Sequence, residues 1–183
     1  MKVIPNIVIF KIAETLPLVV FLILIRNLEN PKEASSWFIP YFICSLLSIA
    51  SSTLLISTKT IINRCFIGIY SYFYLGLIAQ LLNLDKFNQI LGQLEAAAMM
   101  LCIAIAGLLY TIVSRHGFVG VKNGRTPLAI SYSGLLTAAA FLATGISYIS
   151  QGNVILSDFV PFIGIFGAMG IAQNALSKQK KIH

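Results

Sequence analysis

Glu14 and Glu95 are the residues of this chain best placed to do chemistry, because each carboxyl falls inside a long apolar block. A charge near the middle of a membrane-crossing helix costs roughly 2.5–3.5 kcal/mol on insertion scales. Such a group turns into the bundle and finds a partner there. Lys11 precedes Glu14 by one helical turn on the same face, so a local ion pair is open to it. Glu95 has no basic residue within a turn, and the small run Ala96-Ala97-Ala98 beside it admits neighbouring helices. Two roles are open to it: a hydrogen-bonded structural carboxyl, or a group that couples protons or cations to transport. Glu14, Glu95 and Lys11 therefore form the candidate intramembrane polar site.

Other chemistry is thinly represented. The chain has no GxSxG, HExxH or Walker loop and no dinucleotide-binding glycine fingerprint. His116 and His183 lie in a loop and at the end of the chain, and Cys44, Cys65 and Cys102 are far apart. Neither set has metal-ligand spacing, and the cysteines read as small apolar residues. No catalytic residue, metal site or cofactor is nominated, and the chain is not expected to be an enzyme. The loop 114–126, SRHGFVGVKNGRT, carries Arg115, Lys122 and Arg125. It reads as a flexible cytoplasmic loop whose charges set topology. Contact with anionic lipid headgroups or a phosphate-bearing ligand is its functional alternative.

The elements that would position these groups follow from composition. Of 183 residues, 57% are apolar and 10% charged, against roughly 25% charged in soluble domains. Mean hydropathy is +0.86. These values exclude a disordered chain, a disulfide-stapled module and an ordinary cytosolic enzyme. They define an all-α, polytopic integral membrane bundle forming one domain over residues 1–183. Apolar blocks predict about six transmembrane helices, near residues 4–25, 37–58, 65–82, 90–113, 127–149 and 156–175. Retention of the first block is preferred to cleavage as a signal peptide, because it contains Lys11 and Glu14 and lacks a convincing cleavage site. Every span must be helical, since a bilayer offers no water to unpaired backbone groups.

Within the spans, residues 45–53 are rich in hydroxyls, and Tyr70, Tyr72 and Tyr74 cluster in the third block. Hydroxyls there can bond carbonyls one turn back or a neighbouring helix. Gly164, Ala168 and Ala172 repeat at four-residue spacing and predict a helix-packing seam. Ser157-Asp158 before Phe159 reads as a helix N-cap.

Orientation follows from the loops. Lys2, Lys59, Arg64, Arg115, Lys122, Arg125, Lys178, Lys180 and Lys181 share the side of the termini. Only Arg26, Lys32 and Lys86 fall opposite. This bias puts both termini in the cytoplasm. It also accounts for the net charge of +7 without nucleic acid as a partner. Glu14 and Glu95 occupy matching places in two three-span halves, a layout that an inverted repeat would produce.

The fragment Glu14-Thr15-Leu16-Pro17-Leu18-Val19-Val20-Phe21 resembles the opening of the septation-protein-A type of small bacterial inner-membrane proteins. The rest of the chain does not follow that pattern, so the resemblance implies no role for any residue.

The resulting expectation is a multi-pass cell-membrane protein, of the bacterial inner membrane. Its favoured role is a small transporter, channel-like protein or solute-binding component using intramembrane carboxylates. The alternative is a non-catalytic subunit or scaffold of a larger envelope complex. Its partners are the lipid bilayer and either another membrane protein or further copies of itself.

Overall fold

The computed structural model describes residues 6–28, 33–60, 62–94, 96–114, 116–120, 126–153 and 155–179. Among these there is no strand. Seven α-helices follow one another: α1 (Asn6–Arg26), α2 (Phe38–Ser57), α3 (Arg64–Leu81), α4 (Asp85–Leu94), α5 (Ala96–Val113), α6 (Pro127–Ile149) and α7 (Val160–Gln179). A 3-10 turn, Ala34–Trp37, leads into α2, and a wide π turn, Ile155–Phe159, leads into α7. Four helical stretches are long and apolar enough to cross a membrane: Ser35–Ser57, Ala96–Val113, Pro127–Ile149 and Ile155–Ser177.

Internal contacts divide the chain into two compact units. The first comprises Met1–Ile62 and Ile69–Gln93, the second Asn63–Gly68 and Leu94–His183.

In the first unit, α2 is inverted relative to a helix folded in water. Its buried stripe holds Tyr41, Ser45, Ser48 and Ser51, while Ile39, Phe42, Leu46, Ile49 and Ile56 are exposed. Lipid accepts the apolar face, and the polar groups find partners inside. One partner exists because of Pro17, which stands inside α1. A proline lacks the N–H that would bond the carbonyl four residues back. That carbonyl belongs to Ala13, and the Ser51 hydroxyl donates to it at 2.7 Å. The next carbonyl, of Glu14, accepts the Tyr70 hydroxyl at 2.7 Å. Two side chains thus mend the break in α1.

Rings close one end of this unit. Phe21 lies 4.7 Å from Phe73 and 5.8 Å from Tyr72 between ring centroids, the latter edge-on. Tyr41 and Tyr72 share a hydroxyl–hydroxyl bond of 2.9 Å. Gly76 makes room for the Tyr41 ring, which a Cβ at that position would overlap.

The turn after α3 passes through Asn83, in the left-handed region at φ 49°. Asparagine tolerates that conformation, and the turn is closed by Leu84 N–H donating to Ala79 O at 2.9 Å. The residues just before the expected fourth span are helical from Asp85, in α4; α4 and α5 are described on either side of Glu95 and cover the expected span from Ile90. Asp85, Lys86, Gln89 and Gln93 line one face of it at helical spacing, opposite Phe87, Ile90 and Leu91.

The second unit relies on close backbone approach. A Cβ on Gly68, in the first turns of α3, would stand 2.5 Å from Ile103 Cα on α5. The α5 and α6 hydroxyls of Thr111 and Thr137 share a bond of 3.1 Å. Thr126 caps α6, accepting from Ala129 N–H at 3.1 Å, and Pro127 follows at the start of the helix, where its missing N–H does no harm.

Residues 116–120, the described stretch of the loop expected to be flexible, turn inward. Phe118 and Val119 are fully buried. The Phe118 ring occupies the space left by Gly107, where a Cβ would lie 2.8 Å away. Val119 N–H donates to the Ser133 hydroxyl at 3.3 Å, and Val119 O accepts from Gln173 Nε2 on α7 at 3.0 Å. Left-handed glycines, Gly117 at φ 58° and Gly120 at φ 77°, make these inward bends.

The start of α7 repeats the device seen in α1. Pro161 cannot bond the carbonyl of Ser157, and the Ser147 hydroxyl of α6 donates to that carbonyl at 2.7 Å. The cap here is Asn153, not Ser157-Asp158. Its Oδ1 accepts from Ile155 N–H at 3.2 Å and Leu156 N–H at 3.3 Å. The wide turn starts at Ile155, ahead of the expected start at Phe159, and Asp158 instead accepts the Ser157 hydroxyl.

Candidate functional site

Of the candidate intramembrane site, Lys11 is exposed on α1 and Glu14 is half-buried. The contribution of Glu14 that the geometry defines is its main-chain carbonyl, held by Tyr70. Glu95 lies outside the described residues, as do Arg115, Lys122 and Arg125. The expected small-residue seam is not one packed line. Gly164 is exposed with nothing within 4 Å of where its Cβ would stand, Ala168 is half-buried, and Ala172 is buried. The buried stripe of α7 passes through Ile165, Met169, Ala172 and Leu176, sharing only Ala172 with the expectation. Cys44 and Cys65 are buried and Cys102 is half-buried. Among the described residues, no three metal-ligating side chains gather.

Two polar constructions do form. In the first unit, the hydroxyl stripe of α2 faces the tyrosines of α3. Ser51 lies beside Tyr70 and Ser48 beside Tyr74. Ser48 also bonds back to Cys44 O at 2.7 Å. Ser45 Oγ, in the same stripe, is buried without a hydrogen-bond partner.

The second construction was invisible in the sequence, where Arg64 was only one more topology-setting charge. Arg64 opens α3 and is 6% exposed. Asn63 sets up this turn: its side-chain oxygen accepts from Cys65 N–H at 3.0 Å, and its main-chain oxygen accepts from Phe66 N–H at 2.9 Å. The Arg64 guanidinium lies over the Tyr110 ring, 5.0 Å from its centroid, and Nη2 donates to the Ser114 hydroxyl at 3.3 Å. Nε and Nη1 are buried with no partner. Gly120 crosses so close that a Cβ there would be 2.5 Å from Nη1.

Four lipid-compatible helices, with polar groups turned inward and large apolar side chains outward, define the class as a helical protein suited to a membrane. No protein-family model, curated protein or solved structure matches the chain.

Proposed function

We propose that the chain crosses the cell membrane six times, with both termini cytoplasmic, and serves as a small non-enzymatic transport or solute-binding component. The crossing count requires α1 and α3 to span in addition to the four qualifying helices. The Lys and Arg distribution supports that count, since it alternates loop by loop only if both cross. Reporter fusions test this directly. A reporter active only outside the cytoplasm should be silent after Ser177 and active after Asn88; the reverse pattern rejects the topology.

One observation carries the transport reading: the hydroxyl stripe of α2 contains a buried oxygen, Ser45 Oγ, that bonds nothing in the protein. A polar group left so among helices is satisfied when water or a solute reaches it. A Ser45→Cys variant, with Cys44, Cys65 and Cys102 replaced, tests access. Labelling by a water-borne thiol reagent in intact membranes supports a wet path. Complete protection, in a variant that folds, rejects it.

A second reading, a non-catalytic subunit of an envelope complex, draws on the neighbouring hydroxyls. Ser51 donates to a carbonyl of α1, which ties two helices together, and Ser48 and Thr53 donate to carbonyls one turn back in α2, so these hydroxyls are engaged in the protein's own structure.

A further inference from the structure

We propose that Arg64 is an oxyanion-binding residue whose ligand is a phosphate group, held at the opening of α3 against the turn after α5. A guanidinium carries five N–H donors and no acceptor. Nη2 has Ser114, and the flat face of the group has Tyr110. The Nε–H and both Nη1–H donors have no acceptor, although the residue is buried. Removing a cation from water is expensive unless a counter-charge with hydrogen-bond acceptors replaces the water.

Among the described residues of the second unit no such counter-charge lies nearby. Among the described residues of this unit the acidic side chain is Asp158. It follows the far end of α6, whose 23 residues span ~34 Å from the Thr126 end. The donors left over point from two different nitrogens. Nε–H and Nη1–H lie on different edges of the planar group, and each forms with Nη2 a two-point fork that a pair of phosphate oxygens fits. The site is also built, because Asn63 fixes the turn that carries Arg64 and Gly120 is the residue type that lets the loop backbone lie against Nη1.

A free phosphate and a phospholipid headgroup share this chemistry, and a residue at the end of a helix in a membrane protein can meet either. Binding at Arg64 does not depend on the transport reading. The test uses the full chain in neutral detergent, with thermal unfolding and equilibrium binding as readouts. One arm titrates inorganic phosphate against chloride at matched ionic strength. The other titrates phosphatidylglycerol into the micelles. The wild type should respond saturably to at least one probe. Arg64→Lys should weaken that response at least tenfold, and Arg64→Gln should abolish it. A response to inorganic phosphate alone identifies a soluble ligand, and one to the lipid alone identifies a headgroup. No saturable response to either probe, or an equal response in Arg64→Gln, overturns the assignment. If Arg64→Gln does not fold, Arg64→Lys decides: an affinity within twofold of wild type overturns it.

Discussion

Pro17 and Pro161 each cancel one main-chain hydrogen bond, and in each case a serine from another helix donates to the freed carbonyl at 2.7 Å. The repairs differ in what surrounds them. Pro17 stands well inside α1, and there Ser51 and Tyr70 hold two consecutive carbonyls. Pro161 stands at the start of α7, where the wide turn Ile155–Phe159 already departs from regular helical bonding and Ser147 alone suffices. A break in the middle of a helix leaves carbonyls that neighbours must satisfy, whereas one at a helix start can be shared with the turn. The two units differ in packing as well. The first fills its interior with rings around Phe21. In the second, Gly68 brings a main chain against a main chain.

The largest expected effect tests that second difference. Gly68→Ala should destabilise by about 3 kcal/mol, because its Cβ meets the Ile103 backbone, which cannot swing aside. Gly76→Ala meets the Tyr41 ring and should cost less, since a ring can turn. Equal losses in detergent unfolding would remove the distinction between the units. Next comes Ser51→Ala, which strands Ala13 O and should lose about 2 kcal/mol. Adding Pro17→Ala, which restores the N–H, should recover most of that loss. A double-mutant cycle with no coupling would mean that Ser51 is not mending the break. Ser147→Ala should lose only about 1 kcal/mol, because a helix start has other ways to satisfy one carbonyl. A loss exceeding that of Ser51→Ala would reverse the comparison. The smallest effect belongs to Gly164→Ala, expected within ~0.5 kcal/mol of wild type and on the stabilising side. A clear loss of stability would restore the packing seam expected from the sequence.

Much of the architecture was legible because a bilayer leaves few options. Long apolar blocks had to be helices, and Pro127, Thr126 and the turn at 150–153 announced their boundaries in side-chain chemistry that acts over one turn. The residues before the expected fourth span looked like a polar link because Asp85, Lys86 and Gln89 are polar. At helical spacing with Gln93 they form the polar face of α4, and Phe87, Ile90 and Leu91 the apolar one. The cap before α7 was missed for a similar reason: Ser157-Asp158 and Asn153 are both plausible caps, and only the wide turn decides between them.

What the amino-acid sequence determined by itself is whatever depends on local spacing and on total apolarity: helical class, the long apolar helices and the loops that carry charge. Only the tertiary structure decided which carbonyl each serine meets, that Phe118 and Val119 turn inward, and that Arg64 is buried with free donors. Those outcomes join residues 38, 10, 54 and 50 positions apart, as in Ser51 with Ala13, Ser147 with Ser157, Gln173 with Val119 and Arg64 with Ser114. A periodic pattern records which face of a helix is apolar, but it does not record which neighbour that face will meet. Hydrogen bonds to a freed carbonyl or a buried guanidinium are set by that meeting alone.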